Sequence, residues 1–310
     1  MHRRNLLKTG ASVLAGTGLL TAGFRAESAN ERTHPLPRPY IETADGAALF
    51  YKDWGAGSPV VFLAGWGLSS DMWEYQMPYL VDQGLRCIAY DRRGHGRSDQ
   101  PGRGYDYNTL ADDLAALIEQ LALRGVTLIA HSMGSGEVAR NLTAHGTDRI
   151  TRVILMAPIT PFLLKTADHP EGVPKEAFDA ALADLSSDRP RYLAENAPAF
   201  FGAGLPGISV SPEMIQWGIR MALQASPKAA IDTFRMFTTA DLRPDMRAFT
   251  VPTLIVHGDA DQSAPLDLTG RKTAQAIPGS HLTVYEGAPH GLFITHRDRL
   301  NSDLLAFIRG

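Results

Sequence analysis

One serine lies where a buried strand is predicted to turn directly into a helix. Residues 126–130 form a β-rich, mostly apolar run, and a helical pattern begins a few positions later. Ser132 stands between the two, flanked by the small residues Ala130 and Gly134. Small side chains let a strand and a helix approach around a sharp, strained turn. This feature predicts an α/β sheet with the serine presented at its carboxyl edge.

The rest of the chain alternates between strand and helix patterns, as such a sheet requires. Asp45 and Gly46 separate two extended stretches, which predicts a hairpin near the start. Helices are predicted at residues 110–121, 266–277 and 298–308. Further strands are predicted at residues 60–63, 86–90, 153–156, 253–256 and 282–285. We therefore expect a mostly parallel central sheet joined by crossover helices and covered on both faces.

The alternation is interrupted by a long segment without a strand pattern. Residues 159–245 are helical in pattern and rich in aromatic residues and proline. We predict that residues 30–158 and 246–310 form two parts of one core, and that residues 159–245 form a helical cap. The cap is expected over the carboxyl ends of the strands, where open α/β sheets bind ligands.

A serine hydroxyl becomes a useful nucleophile only when a base accepts its proton, and the base needs an orienting carboxylate. His290 follows the last predicted strand, from which its side chain can reach over the sheet edge toward Ser132. Asp261 lies in the loop after residues 253–256 and is the preferred carboxylate. Asp259 is the alternative and is expected instead to hold the turn through local hydrogen bonds.

The other histidines are expected to have structural or solvent-facing positions. His145 and His169 are predicted to face solvent, whereas His131 and His257 are predicted to pack at strand ends.

An oxyanion formed during acyl transfer needs two aimed N–H donors. Met133, the residue after the serine, can supply one main-chain N–H. Trp66, in the loop after residues 60–63, is the candidate for the other, because Gly65 allows a close approach of the backbone. The Trp66 side chain could also form part of a pocket wall.

Residues 90–98 (Tyr-Asp-Arg-Arg-Gly-His-Gly-Arg-Ser) resemble the structural loop of cofactor-free haloperoxidases and their arylesterase relatives, which are α/β-hydrolases. Residues 104–107, 111–114, 136–140 and 251–307 are similar to the same family. The resemblance implies an α/β-hydrolase fold, a triad of Ser132, Asp261 and His290, and oxyanion donors Trp66 and Met133. It implies no haem, metal or other cofactor, and it makes a homo-oligomer plausible.

The chain departs from that family at several positions near the predicted site. Ala64 stands where the family usually has histidine, and Gly67 where strong perhydrolases often carry proline. Ser263 stands where an apolar residue is common, and Ala130 and Ser135 replace glycines. These departures weaken the case for perhydrolysis and suggest an altered acyl pocket.

The sequence therefore predicts a serine hydrolase that cleaves carboxylic esters or lactones through an acyl-enzyme on Ser132. The alternative is a cofactor-free haloperoxidase, a perhydrolase that makes peracids from a carboxylic acid and hydrogen peroxide. A ligand-binding protein on a hydrolase scaffold is a third hypothesis, which the complete triad disfavours. The pocket is predicted to include Phe162, Trp217, Phe237 and Ser263. Phe200, Phe201 and Phe234 are further aromatic candidates.

The first 29 residues resemble a bacterial Tat signal peptide. Arg3 and Arg4 precede an uncharged stretch, residues 10–24, which is too short to span a bilayer comfortably. We expect export to the periplasm or beyond, with no stable membrane anchor after cleavage. A cytoplasmic tail or an uncleaved anchor is the alternative. Removing residues 1–29 changes the formal net charge from −3 to about −6, which disfavours nucleic acid as a partner.

Overall fold

An eight-stranded sheet organises the protein, and the computed structural model describes residues 39–310. The strands are β1 (Tyr40–Glu42), β2 (Ala48–Trp54), β3 (Pro59–Leu63), β4 (Arg86–Tyr90), β5 (Val126–His131), β6 (Ile150–Met156), β7 (Thr253–Gly258) and β8 (His281–Tyr285). The helices are α1 (Met77–Asp82), α2 (Tyr107–Gln120), α3 (Gly134–His145), α4 (Lys175–Ser187), α5 (Arg189–Phe200), α6 (Pro212–Gln224), α7 (Pro227–Thr239), α8 (Gly270–Ala276), α9 (Leu292–Thr295) and α10 (Arg297–Arg309). The predicted signal peptide lies outside the described residues.

The sheet is parallel except at one edge, which confirms the predicted architecture. Its strand order is β1-β2-β4-β3-β5-β6-β7-β8. Strands β3 to β8 run parallel to one another, whereas β2 pairs antiparallel with both β1 and β4. The first two strands form the predicted hairpin, in which Gly46 has a φ of 84° that favours glycine. The order places β5 and its serine near the middle of the sheet.

Successive side chains of the central strands enter two separate apolar layers. On β3, Val61 and Leu63 join a buried cluster that includes side chains of α2 and α3. Val60 and Phe62 point the other way, into a cluster that includes side chains of α1 and α10. This alternation follows from the two-residue period of a strand, and it explains why these strands are apolar at nearly every position.

The segment between β6 and β7 is helical, as predicted for residues 159–245. It contains α4 to α7 and a short 3-10 helix, Pro244–Ala248. Helices α5 and α6 pack together, as do α4 and α7. The only strand-like pairings in this segment are isolated bridges, one of them between Leu164 and Val173. The exact cap boundaries remain a prediction.

The helix predicted at 266–277 begins later than expected, at Gly270. The main-chain N–H of Arg271 donates to the carbonyl of Leu266, five residues back. This spacing interrupts the four-residue hydrogen-bond repeat of an α-helix. Residues 266–269 therefore form a turn. The short helix α9, which precedes α10, was not predicted.

Within residues 39–310, no helix combines the length and the apolar character needed to cross a membrane.

Candidate active site

Ser132 occupies a strained turn between β5 and α3. Its φ is 53°, a left-handed conformation that non-glycine residues rarely adopt. Its main-chain N–H donates to Met156 on the neighbouring strand at 3.0 Å. A Cβ at Gly134 would lie 3.1 Å from the carbonyl oxygens of Leu63 and Ala64, so a larger residue there would crowd the turn. The structure thus contains the sharp turn that the sequence around the serine predicted.

Three side chains from separate loops form a continuous hydrogen-bonded chain. Ser132 Oγ lies 2.9 Å from His290 Nε2, and His290 Nδ1 lies 2.6 Å from Asp261 Oδ2. All three residues are buried. They meet because β5, β7 and β8 run parallel and end at the same edge of the sheet. The structure therefore brings together the three residues that the sequence selected.

The Asp261 carboxylate is held in place on both oxygens. Oδ1 accepts hydrogen bonds from the main-chain N–H groups of Ser263 and Ala264, each at 2.8 Å. Burial by itself would raise the pKa of Asp261, but the charge of His290 and the hydrogen bonds from His257 and His290 hold the pKa below its usual range. The side chain is thus an ionised acceptor for the N–H on Nδ1 of His290.

Asp259, the alternative carboxylate, does not contact His290. Its Oδ1 accepts the main-chain N–H of Gly287 at 2.7 Å, and the side chain is exposed. It ties the loop after β7 to the loop after β8, a structural role as expected, but through a contact 28 positions away rather than through local hydrogen bonds within its own turn.

Two further histidines support the chain of three. His257 Nε2 lies 3.2 Å from Asp261 Oδ2 and 2.8 Å from the carbonyl of Ala264. His131 Nε2 lies 3.1 Å from the carbonyl of His290. Burial lowers the pKa of His131 to about 3, so its ring is neutral at physiological pH. The burial of His131 and His257 was predicted, but their contacts to His290 and Asp261 were not.

The two histidines that were predicted to face solvent gave one confirmed and one wrong prediction. The side chain of His145 is 38% exposed and contacts Asp112, as a solvent-facing residue can. His169 was predicted to face solvent but is buried. Its Nδ1 lies 2.9 Å from the carbonyl of Leu164, and its ring packs against Phe162. The bridged loop around it folds the ring inward, which no local sequence pattern indicates.

The loop after β3 lies directly against Ser132. A Cβ at Gly65 would be 2.6 Å from His131 Nδ1 and 3.5 Å from Ser132 Cβ, so only glycine permits this approach. In the described part of the chain, the main-chain N–H groups of Trp66 and Met133 donate to no other protein group. Both therefore remain available to a ligand oxygen beside the serine.

Comparison with known proteins agrees with this arrangement. A family model described as the alpha/beta hydrolase fold matches residues 58–297. The chain is 44% identical to a non-heme chloroperoxidase of Kitasatospora aureofaciens and 39% identical to a bifunctional esterase/perhydrolase of Acinetobacter calcoaceticus. Each match covers 87% of this chain and 99% of the relative.

Among solved structures, a bromoperoxidase from Bacillus anthracis is similar, with a TM-score of 0.84 at 41% identity. That match covers 87% of this chain and 99% of the bromoperoxidase. The chain belongs to the α/β-hydrolase family. It is an enzyme, and its relatives include non-haem haloperoxidases and esterases.

The hydrolase has a partly open cavity of about 520 Å³ between the core and the inserted helices. Ser132 and His290 lie at its wall, and most of the surrounding side chains are apolar. Among the described residues that line it, none is Lys, Arg, Asp or Glu. Trp66 contributes its ring to the wall, and its Nε1 donates to the carbonyl of Ala230 on α7 at 3.0 Å. The volume and polarity suit a small, largely uncharged substrate.

The predicted pocket residues divide into two groups. Phe237 and Ser263 line the cavity, as do the aromatic candidates Phe200, Phe201 and Phe234. Phe162 and Trp217 do not, so their assignment to the pocket was wrong. Phe162 is buried beside His169, and Trp217 packs against the apolar layer that includes side chains of α1 and α10. On α6, the adjacent Gly218 and Ile219 face the cavity instead.

Within residues 39–310, no group of three or more His, Cys, Asp or Glu side chains is arranged to hold a metal ion.

Proposed function

We propose that this hydrolase cleaves carboxylic esters or lactones through an acyl-enzyme on Ser132. The observation that carries the proposal is the continuous chain from Ser132 Oγ through His290 to Asp261, with distances of 2.9 and 2.6 Å, at the wall of an apolar cavity. A hydroxyl, a base and an orienting carboxylate in this order are what acyl transfer to serine requires.

In the first half-reaction, Ser132 Oγ attacks the ester carbonyl carbon and its proton passes to His290 Nε2. Asp261 keeps the proton on Nδ1 and stabilises the imidazolium. The main-chain N–H groups of Trp66 and Met133 donate to the oxyanion. The C–O bond then breaks, and His290 returns its proton to the departing alcohol, which in a lactone stays attached to the acyl chain.

In the second half-reaction, water replaces the alcohol. His290 removes a proton from water as its oxygen attacks the acyl carbonyl, and the collapse of the intermediate restores the Ser132 hydroxyl and releases the acid. Peroxide attack at the same step would release a peracid. The names of the two curated relatives, a chloroperoxidase and an esterase/perhydrolase, support this second candidate function.

Hydrolysis of p-nitrophenyl esters from acetate to octanoate by the purified protein tests the proposal. We expect saturable turnover, and a loss of about 10⁴- to 10⁶-fold in kcat in Ser132→Ala. A folded Ser132→Ala protein that keeps its activity would refute the proposal. Adding hydrogen peroxide at fixed ester concentration separates the two functions, since a perhydrolase then yields peracid in place of part of the acid.

We propose further that the enzyme is exported through the Tat route. Support comes from Arg3 and Arg4 ahead of the uncharged residues 10–24. Changing both arginines to lysine is expected to retain the enzyme in the cytoplasm of a bacterial host, measured by activity in cell fractions. The mass of exported wild-type protein then gives the cleavage site. Cytoplasmic enzyme of full mass from the wild-type gene would contradict export.

A further inference from the structure

Two adjacent arginines follow β4, and only one of them reaches the loop beside Ser132. Arg92 Nε donates to Glu137 Oε2 at 2.7 Å, and its Nη2 donates to the carbonyl of Ala64 at 2.9 Å. Arg92 is 2% exposed and Glu137 is fully buried. Burial lowers the pKa of Arg92 to about 10, so the guanidinium is still cationic at neutral pH. A buried cation therefore holds one specific main-chain carbonyl.

That carbonyl directly precedes the loop that carries the Trp66 donor. The hydrogen bond from Arg92 fixes the peptide plane between Ala64 and Gly65. The next plane is fixed as well, because the N–H of Leu68 donates to the carbonyl of Gly65 at 3.3 Å. In a trans peptide the C=O and the following N–H point in opposite directions, so the Trp66 N–H is directed away from Leu68. The orientation of this donor thus depends on two carbonyl contacts.

The other end of the interaction lies on the helix that carries the second donor. Glu137 belongs to the first turn of α3 and follows Met133 by four residues. Arg92 therefore bridges the loop with the Trp66 N–H and the helix with the Met133 N–H. We propose that Arg92, anchored by Glu137, is a positioning residue that holds the two main-chain oxyanion donors at a fixed separation. The proposal rests on the proposed acyl transfer at Ser132.

Arg93 provides a matched comparison inside the same segment. It is 1% exposed, and it pairs with Asp113 at 2.6 Å and Asp45 at 3.0 Å. These contacts tie the β1–β2 turn to α2, and none reaches the loop after β3 or α3. Both arginines are buried in ion pairs, so a purely structural role predicts similar consequences when either is changed.

The test compares Arg92→Lys with Arg93→Lys. Lysine keeps the charge but lacks the planar fork needed to reach both Glu137 and the Ala64 carbonyl. For Arg92→Lys we expect kcat for p-nitrophenyl esters to fall by about 10- to 100-fold, part of the effect of losing one oxyanion donor, with KM changed less than about threefold. Arg93→Lys is expected to lower Tm while kcat changes less than about threefold.

A transition-state analogue supplies a readout that lost stability alone would not change. An alkyl trifluoromethyl ketone forms an oxyanion when its carbonyl carbon bonds to Ser132. Its inhibition constant should rise in Arg92→Lys by the same factor by which kcat/KM falls, and it should stay constant in Arg93→Lys. Equal losses in both arginine variants, unchanged kcat in Arg92→Lys, or unchanged inhibitor affinity would each overturn the proposal.

Glu137→Gln covers the case in which Arg92→Lys does not fold. The amide keeps the size of the side chain and one oxygen acceptor, so we expect a smaller, parallel change of about three- to tenfold in kcat and in inhibitor affinity. Unchanged values in that variant would also overturn the proposal. Retained activity in Ser132→Ala would instead refute acyl transfer at this serine, so the two failures are distinguishable.

Discussion

The core edge and the inserted helices face the same cavity but contribute different kinds of contact. On the core side, short hydrogen bonds link Ser132, His290 and Asp261, and each partner is buried. On the side of α4 to α7 the wall is mostly apolar, with aromatic rings such as Phe234 and Phe237 meeting edge to face at 5.2 Å. Catalysis by a hydrogen-bonded chain of residues is lost when one residue of the chain is removed, whereas substituting one residue of an apolar wall only alters the shape of the cavity. The core should therefore control the rate, and the inserted helices the choice of substrate.

Three contacts show that these regions are not independent. The N–H of Gly291, next to His290, donates to the carbonyl of Phe200 at the end of α5, at 2.7 Å. The Phe200 ring also lies 5.2 Å from the His290 ring. In addition, the side-chain Nε1 of Trp66 donates to the carbonyl of Ala230 on α7. The inserted helices thus hold both the base and one oxyanion loop.

Among changes that compare the two regions, the largest effect should come from changing the carboxylate on the core side. Asp261→Asn is expected to lower kcat by about 10⁴-fold, because the amide no longer stabilises the imidazolium and favours the wrong tautomer of His290. Asp259→Asn is the matched control, since Asp259 contacts Gly287 and not His290. We expect its kcat to change less than about threefold. Steady-state kinetics on one p-nitrophenyl ester measures both, and a larger loss in the control would reverse the assignment.

A smaller, selective effect is expected on the side of the inserted helices. Phe237→Ala removes an aromatic ring from the cavity wall and enlarges the cavity. KM for an aryl ester should therefore rise about tenfold while kcat changes little. Phe162→Ala removes a buried ring that does not line the cavity. It should lower Tm and leave KM unchanged. Equal changes of KM in both variants would mean that the inserted helices shape the cavity as one unit.

A third effect is a pH dependence of stability that originates on the core side. Burial lowers the pKa of His131 to about 3 and that of His95 to about 4, from an ordinary value of 6.5. Below pH 6.5 the unfolded chain binds these protons and the native protein does not. These two histidines should therefore lower the free energy of unfolding as the pH drops from 6.5 toward 4, each by at most about 1.4 kcal/mol per pH unit.

Urea unfolding at pH 7, 6 and 5 measures this slope. His95→Gln should flatten it by up to one proton, since the unfolded state then binds one proton fewer. The pKa of Asp261 lies below its usual value of 3.8, so its protonation lowers the stability of the protein only at lower pH. An identical slope in His95→Gln would show that His95 does not contribute.

The sequence by itself determined the elements of the core and the residues that meet at its edge. Short apolar runs in the sequence predict buried strands, and the carboxyl ends of parallel strands lie at a common edge of the sheet. Ser132, His290 and Asp261 each follow such a strand, so their proximity follows from local pattern and chain order. The choice of Asp261 over Asp259 also depended only on position within one loop.

Only the tertiary structure decided how the inserted helices present their side chains. Phe162, Trp217 and His169 were placed wrongly, because a helical or loop pattern does not state which face another helix will cover. The role proposed for Arg92 depended on the tertiary structure too, since residues 90–98 indicated only a structural turn. Its partners, Ala64 and Glu137, are 28 and 45 positions away, and contacts at such separations are set by packing rather than by local sequence.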